Sequence, residues 1–363
     1  MAFPLPDNYH AAMKSLFLAI WLGCCLAANG ADYVIAISVD GLGSVYLQRL
    51  VDEGKLPHFA KLMAESAGTL DARTDPDITA TLPNHSDMIT GRRTLLADGH
   101  HWTSNTDPAK DMTIHSNKGC YVASVFDVVH DRGLHTGLWS TKSKFSLFRI
   151  SYDATHGAQD TTGPDYGRNK VDCFAVEKSP ALADLFISAM SNQPCHFAFV
   201  HFGDPDAAGH THGWGSDPYN HALATIDGYL GRIMDLAATH PALKGRTSLI
   251  LTADHGGEGR EHGDAAKPLD YIIPFFVWGT GGAHGDLYAM NATTRRTPGE
   301  SRPTFDEPVQ PVRNGEVGNL ALSLLGLPPI PGSTINSKQD LKVKKSETAS
   351  TPAGAACCDG DHR

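Results

Sequence analysis

The chain has 363 residues, of which 41% are apolar and 19% charged, the proportions of an ordinary globular protein with enough apolar material for one large core. Its formal net charge of −10 argues against nucleic acid held on a basic surface, so no nucleic-acid-binding face is expected. The same charge leaves a phosphate substrate open, because a bound metal ion reverses the local sign.

The N-terminus reads as a targeting segment. Lys14 precedes the apolar run Ser15 to Leu22, and small residues follow at Ala27, Ala28, Gly30 and Ala31, with Met13 as an alternative start. The run is short for a transmembrane span, so none is expected. Residues 1–31 are therefore expected to be a signal peptide and the protein to be exported, secreted or periplasmic. Lipid anchoring through Cys24 or Cys25 is the competing reading, against a poor match around Trp21-Leu22-Gly23. Cys120, Cys173 and Cys195 have no zinc-ribbon spacing and read as structural, with Cys173 and Cys195 one pair that export would permit to join.

Residues 33–39 (YVIAISV) form a continuous β-branched run, expected as a buried parallel strand. A helix is predicted over 45–64, a short strand over 69–72, and a helix opening at Pro83 and running to Ile89. An amphipathic stretch covers 121–130, with Val122, Val125, Phe126 and Val129 on one face. A strand at 136–139, a helix at 181–190 and a strand at 196–202 follow. A long helix over 219–238 leads to a strand at 247–252, an apolar segment at 272–278 and a last helix at 315–325. The alternation predicts an α/β fold, a mostly parallel central sheet with helices on both faces. One domain is expected over 32–340. Within it, 94–180 is read as an excursion shaping the substrate pocket, and 341–363 as a disordered polar tail.

Asp40, Asp206 and Asp254 each follow the end of a predicted strand, the edge of an open α/β sheet where sites form. Asp206 and His210 are separated by small residues, so a tight turn can aim both at one point. Asp254 and His255 are adjacent, with Gly256 and Gly257 to let the chain bend. With His262, these groups make six carboxylate and imidazole ligands, an inventory that suits two zinc ions with about three protein ligands each. Manganese or iron fits the same donors.

Five strings together carry a resemblance. They are Ser38-Val39-Asp40-Gly41, Thr81-Leu82-Pro83-Asn84-His85, Pro205-Asp206-Ala207-Ala208-Gly209-His210, Ala253-Asp254-His255-Gly256 and Glu261-His262-Gly263. In this order they resemble the alkaline phosphatase superfamily, specifically its type I phosphodiesterase/nucleotide pyrophosphatase branch, over roughly residues 33–327. The resemblance implies an alkaline phosphatase-like fold. It also implies one zinc held by Asp206, His210 and His262, and a second held by Asp40, Asp254 and His255 with Thr81 on or beside it. His284 and His212 compete with His262 for its place. The resemblance further implies an asparagine that helps hold the phosphoryl oxygen, for which Asn105 is the best match although its spacing from Thr81 is a few residues longer than the family's usual one.

Thr81 is then the expected nucleophile, since contact with a zinc ion stabilises an alkoxide. It stands just before a helix whose N–H groups would face a phosphoryl group. Without the acids, Thr81 would read as a plain N-cap. His85 reads as packing or as support for the ligands. Two zinc ions balance three aspartates and one alkoxide, and a near-neutral site suits a singly charged diester. Leu82 stands where alkaline phosphatases place an arginine, although Lys142, Lys144 and Arg149 could still swing in to add charge. The Thr-Leu-Pro-Asn-His string argues against a sulfatase, which needs a modified Cys or Ser. Trp102, Trp139, Phe145 and Phe148 read as core or lid packing before they read as a base-stacking platform.

The expected function is hydrolysis of a phosphodiester or pyrophosphate bond in a small-molecule phosphate ester or nucleotide, through a covalent phospho-threonine. A phosphomonoesterase or phosphonate hydrolase of the same superfamily is the alternative, and a non-catalytic binding protein on the same fold the third.

Overall fold

The computed structural model describes residues 30–344, and the expected leader residues before Gly30 lie outside it. The uniformly apolar runs became strands because only a sheet covered on both faces can bury every residue of a strand. β1 (Tyr33–Val39), β5 (Phe197–Phe202) and β6 (Thr247–Thr252) are buried almost end to end. With β2 (Ala67–Arg73), β3 (Thr136–Ser140), β4 (Cys173–Val176), β7 (Ile272–Gly279) and β8 (Gly285–Asp286) they form one eight-stranded sheet in the order β4-β3-β5-β1-β6-β7-β2-β8. β4, β3, β5, β1 and β6 run parallel, and β7 alone runs antiparallel to both its neighbours. The expected mostly parallel α/β sheet is what the chain forms.

Register fixes where the loops leave the sheet. Val39 lies opposite Phe202, and Ser38 lies between His201 and Thr252. The segments carrying Asp40, Asp206 and Asp254 therefore emerge side by side.

Helices flank the sheet in two groups. Pro57–Glu65, Ser179–Asn192 and Asp204–His212 pack on the long helix Asp217–Thr239, while Thr81–Thr90, Val125–His130 and Val317–Leu324 pack together. Every residue from Thr81 to Thr90 is buried. The single helix predicted over 45–64 is two, Ser44–Asp52 and Pro57–Glu65. Gly54 takes a left-handed turn (φ +70°), and Pro57 disfavours a helical Leu56.

The segment 94–180, expected as an excursion, supplies β3 and β4 to one edge of the sheet. Ala31 donates its N–H to Leu324 O and is buried, so the ordered fold already includes it. Leu341 and Val343 pack into the core, so the fold runs past residue 340, where the tail was expected to begin. Cys120, Cys173 and Cys195 are free thiols. No helix among the described residues is long and apolar enough to cross a membrane.

Candidate metal centre and nucleophile

Three strand ends deliver the acids. Asp40 follows β1 directly, Asp254 follows β6 after Ala253, and Asp206 sits in the first turn of the helix that follows β5. Gly41 lets these segments touch. It is left-handed (φ +74°), its N–H donates to Asp254 Oδ1 at 3.1 Å, and a Cβ there would lie 3.0 Å from Asp206 Cα. Trp214 Nε1 and Tyr219 OH both donate to Gly41 O at 2.9 Å, which fixes the turn from the other side.

The six expected ligands converge as two triads, Asp206–His210–His262 and Asp40–Asp254–His255. In the first, Asp206 Oδ1 lies 3.4 Å from His210 Nε2 and 3.7 Å from His262 Nε2, and the two Nε2 atoms are 3.1 Å apart. In the second, His255 Nε2 lies 3.4 Å from Asp40 Oδ1 and 3.3 Å from Asp254 Oδ2. Donors bound about 2.0–2.2 Å from one tetrahedral ion stand about 3.3–3.6 Å apart, a range that the second triad falls within and that the first, at 3.1–3.7 Å, straddles. The triads adjoin, with Asp206 Oδ1 4.0 Å from His255 Nε2. His212 and His284 are exposed and belong to neither group.

Tautomers agree with this geometry. His210, His262 and His255 present Nδ1 to the carbonyls of Arg260, Thr79 and Gly256 at 2.9, 2.6 and 2.9 Å. A ring that donates from Nδ1 keeps an Nε2 lone pair for a metal. Burial, then the stacked His262 ring, holds the His255 pKa down to about 3, so it stays neutral.

The carboxylates divide their oxygens. Asp254 Oδ1 accepts the N–H groups of Gly41 and His255. Asp40 Oδ2 accepts from His201 Nε2 at 2.9 Å and faces Lys142 Nζ at 2.6 Å, and the same ammonium donates to Asp206 Oδ2 at 2.6 Å. Left over are Asp40 Oδ1, Asp206 Oδ1, Asp254 Oδ2 and His255 Nε2, all buried and without a hydrogen-bond partner. An unpaired buried polar atom is costly, and these four lie in the two triads. The donor set thus fits a pair of divalent cations.

Charge explains the protonation pattern. Burial alone would raise all three acids. Lys142 and His201 overturn that for Asp40 and hold its pKa well below the usual range. His210 and Lys142 hold Asp206 at about 2 against burial and the nearby Asp40. Asp254 is pushed well up by burial and by Asp40.

Thr81 is the first residue of its helix and is 1% exposed. Its segment is tied to both triads. Thr79, two residues earlier, exchanges hydrogen bonds with His262. His85, one turn later, bonds Thr81 O at 2.7 Å and lies 3.7 Å from Asp254 Oδ2. Asn84 braces the same turn through Ile78 O and Ala80 O. The expectation that helix N–H groups face a phosphoryl group is corrected in one respect. The Leu82 N–H is already used by Asn105 Oδ1 at 3.0 Å, and Pro83 has none. Lys144 Nζ also donates to Asn105 Oδ1 at 3.0 Å, so this oxygen is fully committed and the Asn105 amide group is the remaining donor.

Of the other candidates, Arg149 bonds Asn169, while Trp102, Trp139, Phe145 and Phe148 are buried as packing. Sequence reasoning missed His201 and Asn314. Asn314 Nδ2 reaches Asn84 Oδ1 at 3.0 Å and Ala253 O and Asp254 O at 3.3 Å. A histidine inside the apolar strand run FAFVHF was the one signal for His201. A third acidic group, His130–Asp131–Asp160, is already bridged by the buried Lys170 ammonium.

Paired acid–imidazole triads at the C-terminal edge of such a sheet define an alkaline phosphatase-like architecture with buried groups able to hold metal. The chain belongs to the type I phosphodiesterase/nucleotide pyrophosphatase family, a family of phosphoric ester hydrolases, whose profile matches residues 34–300. A GPI ethanolamine phosphate transferase 1 from Chaetomium globosum is 29% identical over 195 residues, covering 50% of this chain and 20% of the transferase. A bis(5'-adenosyl)-triphosphatase enpp4 from Xenopus laevis is 23% identical over 259 residues, covering 66% of this chain and 52% of that protein. This chain thus spans about a fifth of the transferase's length and half of the triphosphatase's. Among solved structures, inactive murine ectonucleotide pyrophosphatase/phosphodiesterase 5 in complex with AMP shares the fold. Its TM-score is 0.58 at 16% identity, over 85% of this chain and 99% of that one.

Proposed function

We propose that this chain hydrolyses phosphodiester or pyrophosphate bonds of small phosphate esters or nucleotides through a covalent phospho-threonine on Thr81. The observation that carries this reading is the set of four unpartnered buried ligand atoms in two adjoining triads, with the Thr81 segment tied to both. Asp206, His210 and His262 would hold one zinc, and Asp40, Asp254 and His255 the other, with Thr81 beside it. Such a pair of ions would supply Lewis-acid polarisation and lower the pKa of the Thr81 hydroxyl. Thr81 Oγ attacks phosphorus in line, the P–O bond to the leaving group breaks, and its oxygen departs as the alcohol or phosphate. Water then attacks phosphorus, breaks the Thr81–phosphorus ester and returns the hydroxyl. Asn105, fixed by Leu82 and Lys144, donates its amide to a phosphoryl oxygen throughout. The relatives' names, a triphosphatase of bis-adenosyl nucleotides and a protein bound to AMP, support a nucleotide substrate.

One observation favours a second reading. Lys142 and Lys144 both stand at the centre, and their charge suits a dianionic monoester better than the near-neutral count from metals, aspartates and alkoxide alone. Rates on bis-nitrophenyl phosphate and nitrophenyl phosphate with zinc bound decide between the two. Higher efficiency on the diester is expected, and a monoester preference would transfer the assignment to a phosphomonoesterase. Thr81→Ala should keep zinc and lose turnover by at least about 10³-fold. Near-wild-type turnover in that variant would refute the nucleophile. An N-terminal leader within residues 1–31 and export complete the proposal, checked by N-terminal sequencing of the mature protein.

A further inference from the structure

Lys142 has a geometry that its charge alone does not explain. Its Nζ lies 2.6 Å from Asp40 Oδ2 and 2.6 Å from Asp206 Oδ2, and its side chain is 20% exposed. Asp40 belongs to one triad and Asp206 to the other, so this one ammonium spans the two. It takes only the Oδ2 atoms. The Oδ1 atoms of the same two carboxylates are the ones left without partners, and those are the atoms 3.4–3.7 Å from His255, His210 and His262. Holding each carboxylate by one oxygen fixes which way the other points. Lys142 therefore does not compete with an ion for its ligand atoms, and it need not move when ions bind. His201, from β5, shares the work at Asp40 Oδ2 only.

The electrostatic need is plain. Asp40, Asp206 and Asp254 are each at most 4% exposed, and their carboxylates converge at the two adjoining triads. Buried carboxylates without a compensating cation are strongly unfavourable. Among the residues bonded to these three carboxylates, Lys142 is the lysine that meets two of them. Lys144 bonds Asn105 instead.

We propose that Lys142 is a positioning residue that joins the two ion sites: its ammonium clamps the outer oxygens of Asp40 and Asp206, presents their inner oxygens to the ions, and stands in for cationic charge when the ions are absent. This rests on the two-ion reading above. It predicts a centre that stays assembled when stripped of metal and refills without rearrangement.

The test compares melting of wild type, Lys142→Met, Lys142→Gln and Lys142→Arg, each chelator-stripped and each saturated with zinc. In the stripped state Lys142→Met should melt roughly 6–12 °C below wild type, and zinc should close at least half of that gap. Lys142→Gln, which keeps a donor but no charge, should behave like Met. Lys142→Arg should stay close to wild type. A methionine variant that folds only with zinc present supports the proposal equally. An equal gap to wild type in both states would make Lys142 a structural residue and overturn it, as would an arginine variant as unstable as the methionine one. Wild type that gains no melting temperature from zinc would instead refute the two-ion reading itself, so the two failures are distinguishable.

Discussion

Asp206 carries the heaviest demand of any side chain at the centre. One oxygen is held by Lys142 and the other faces His210, His262 and, more distantly, His255. Asp206→Ala should lower zinc from two ions per chain to about one, measured by elemental analysis after dialysis, because the remaining pair His210–His262 lacks a carboxylate. Two ions retained would contradict the ligand grouping. Asn105 makes a different contribution, since its oxygen is spent on Leu82 and Lys144 and only its amide can meet a substrate. Asn105→Ala should keep both ions and lower kcat by about 10²–10³-fold, the scale of removing one donor to a developing oxyanion. Unchanged kcat would remove Asn105 from the reaction. The six metal-ligand candidates were legible because each stands beside a strand end or a glycine turn, features that a sequence displays. His201 and Lys142 were not placed, because a carboxylate's second partner depends on which strands lie beside it, and sequence spacing holds no record of that.

At the scale of elements, the centre depends on three strand ends packed more closely than side chains would ordinarily allow. At Gly41, Asp206 Cα, Cβ and N all lie 3.0–3.2 Å from where a Cβ would lie. Gly41→Ala adds a left-handed strain to that contact and should destabilise the fold by about 1–3 kcal/mol. It should also loosen zinc, because Asp206 backbone must yield. A denaturant titration and a zinc competition assay check both, and an alanine variant with wild-type stability would show that the contact relaxes freely. The strongly apolar strands β1, β5 and β6 were readable from composition alone. β4 and β8 were not, since four half-buried residues and a two-residue edge carry no periodicity. The break between Ser44–Asp52 and Pro57–Glu65 was written in Gly54 and Pro57, but helical spacing on either side masked it. Asn314 joins the centre from a turn 60 residues beyond Asp254, and the packing of that turn (Asn314–Glu316) and of Val317–Leu324 against Thr81–Thr90 brings it there.

Across the whole molecule, stability should depend on pH through groups whose ionisation differs between folded and unfolded chain. Asp270 is a clear case outside the two triads. It is 1% exposed, its Oδ2 accepts the Asp264 N–H, its Oδ1 has no partner, and its carbonyl receives the Gly256 N–H from the turn after His255. Burial raises its pKa to about 6, against the opposing effects of the Asp264 hydrogen bond and Lys267. The folded protein therefore binds this proton more tightly than the unfolded chain, whose aspartate titrates near 3.9. Its contribution is complete below that value and is lost as pH rises through about 6, a loss on the order of 2–3 kcal/mol. Asp270→Asn keeps a neutral group of the same shape and should remove this slope. Melting temperatures of the pair, measured with zinc saturating from pH 5 to 7.5, should diverge as pH rises, with the asparagine variant the more stable above pH 6. Parallel curves would mean that Asp270 is ionised in the folded protein throughout. The buried carboxylate beside the Gly256 turn would then be sustained by Lys267 and backbone donors rather than by its own proton.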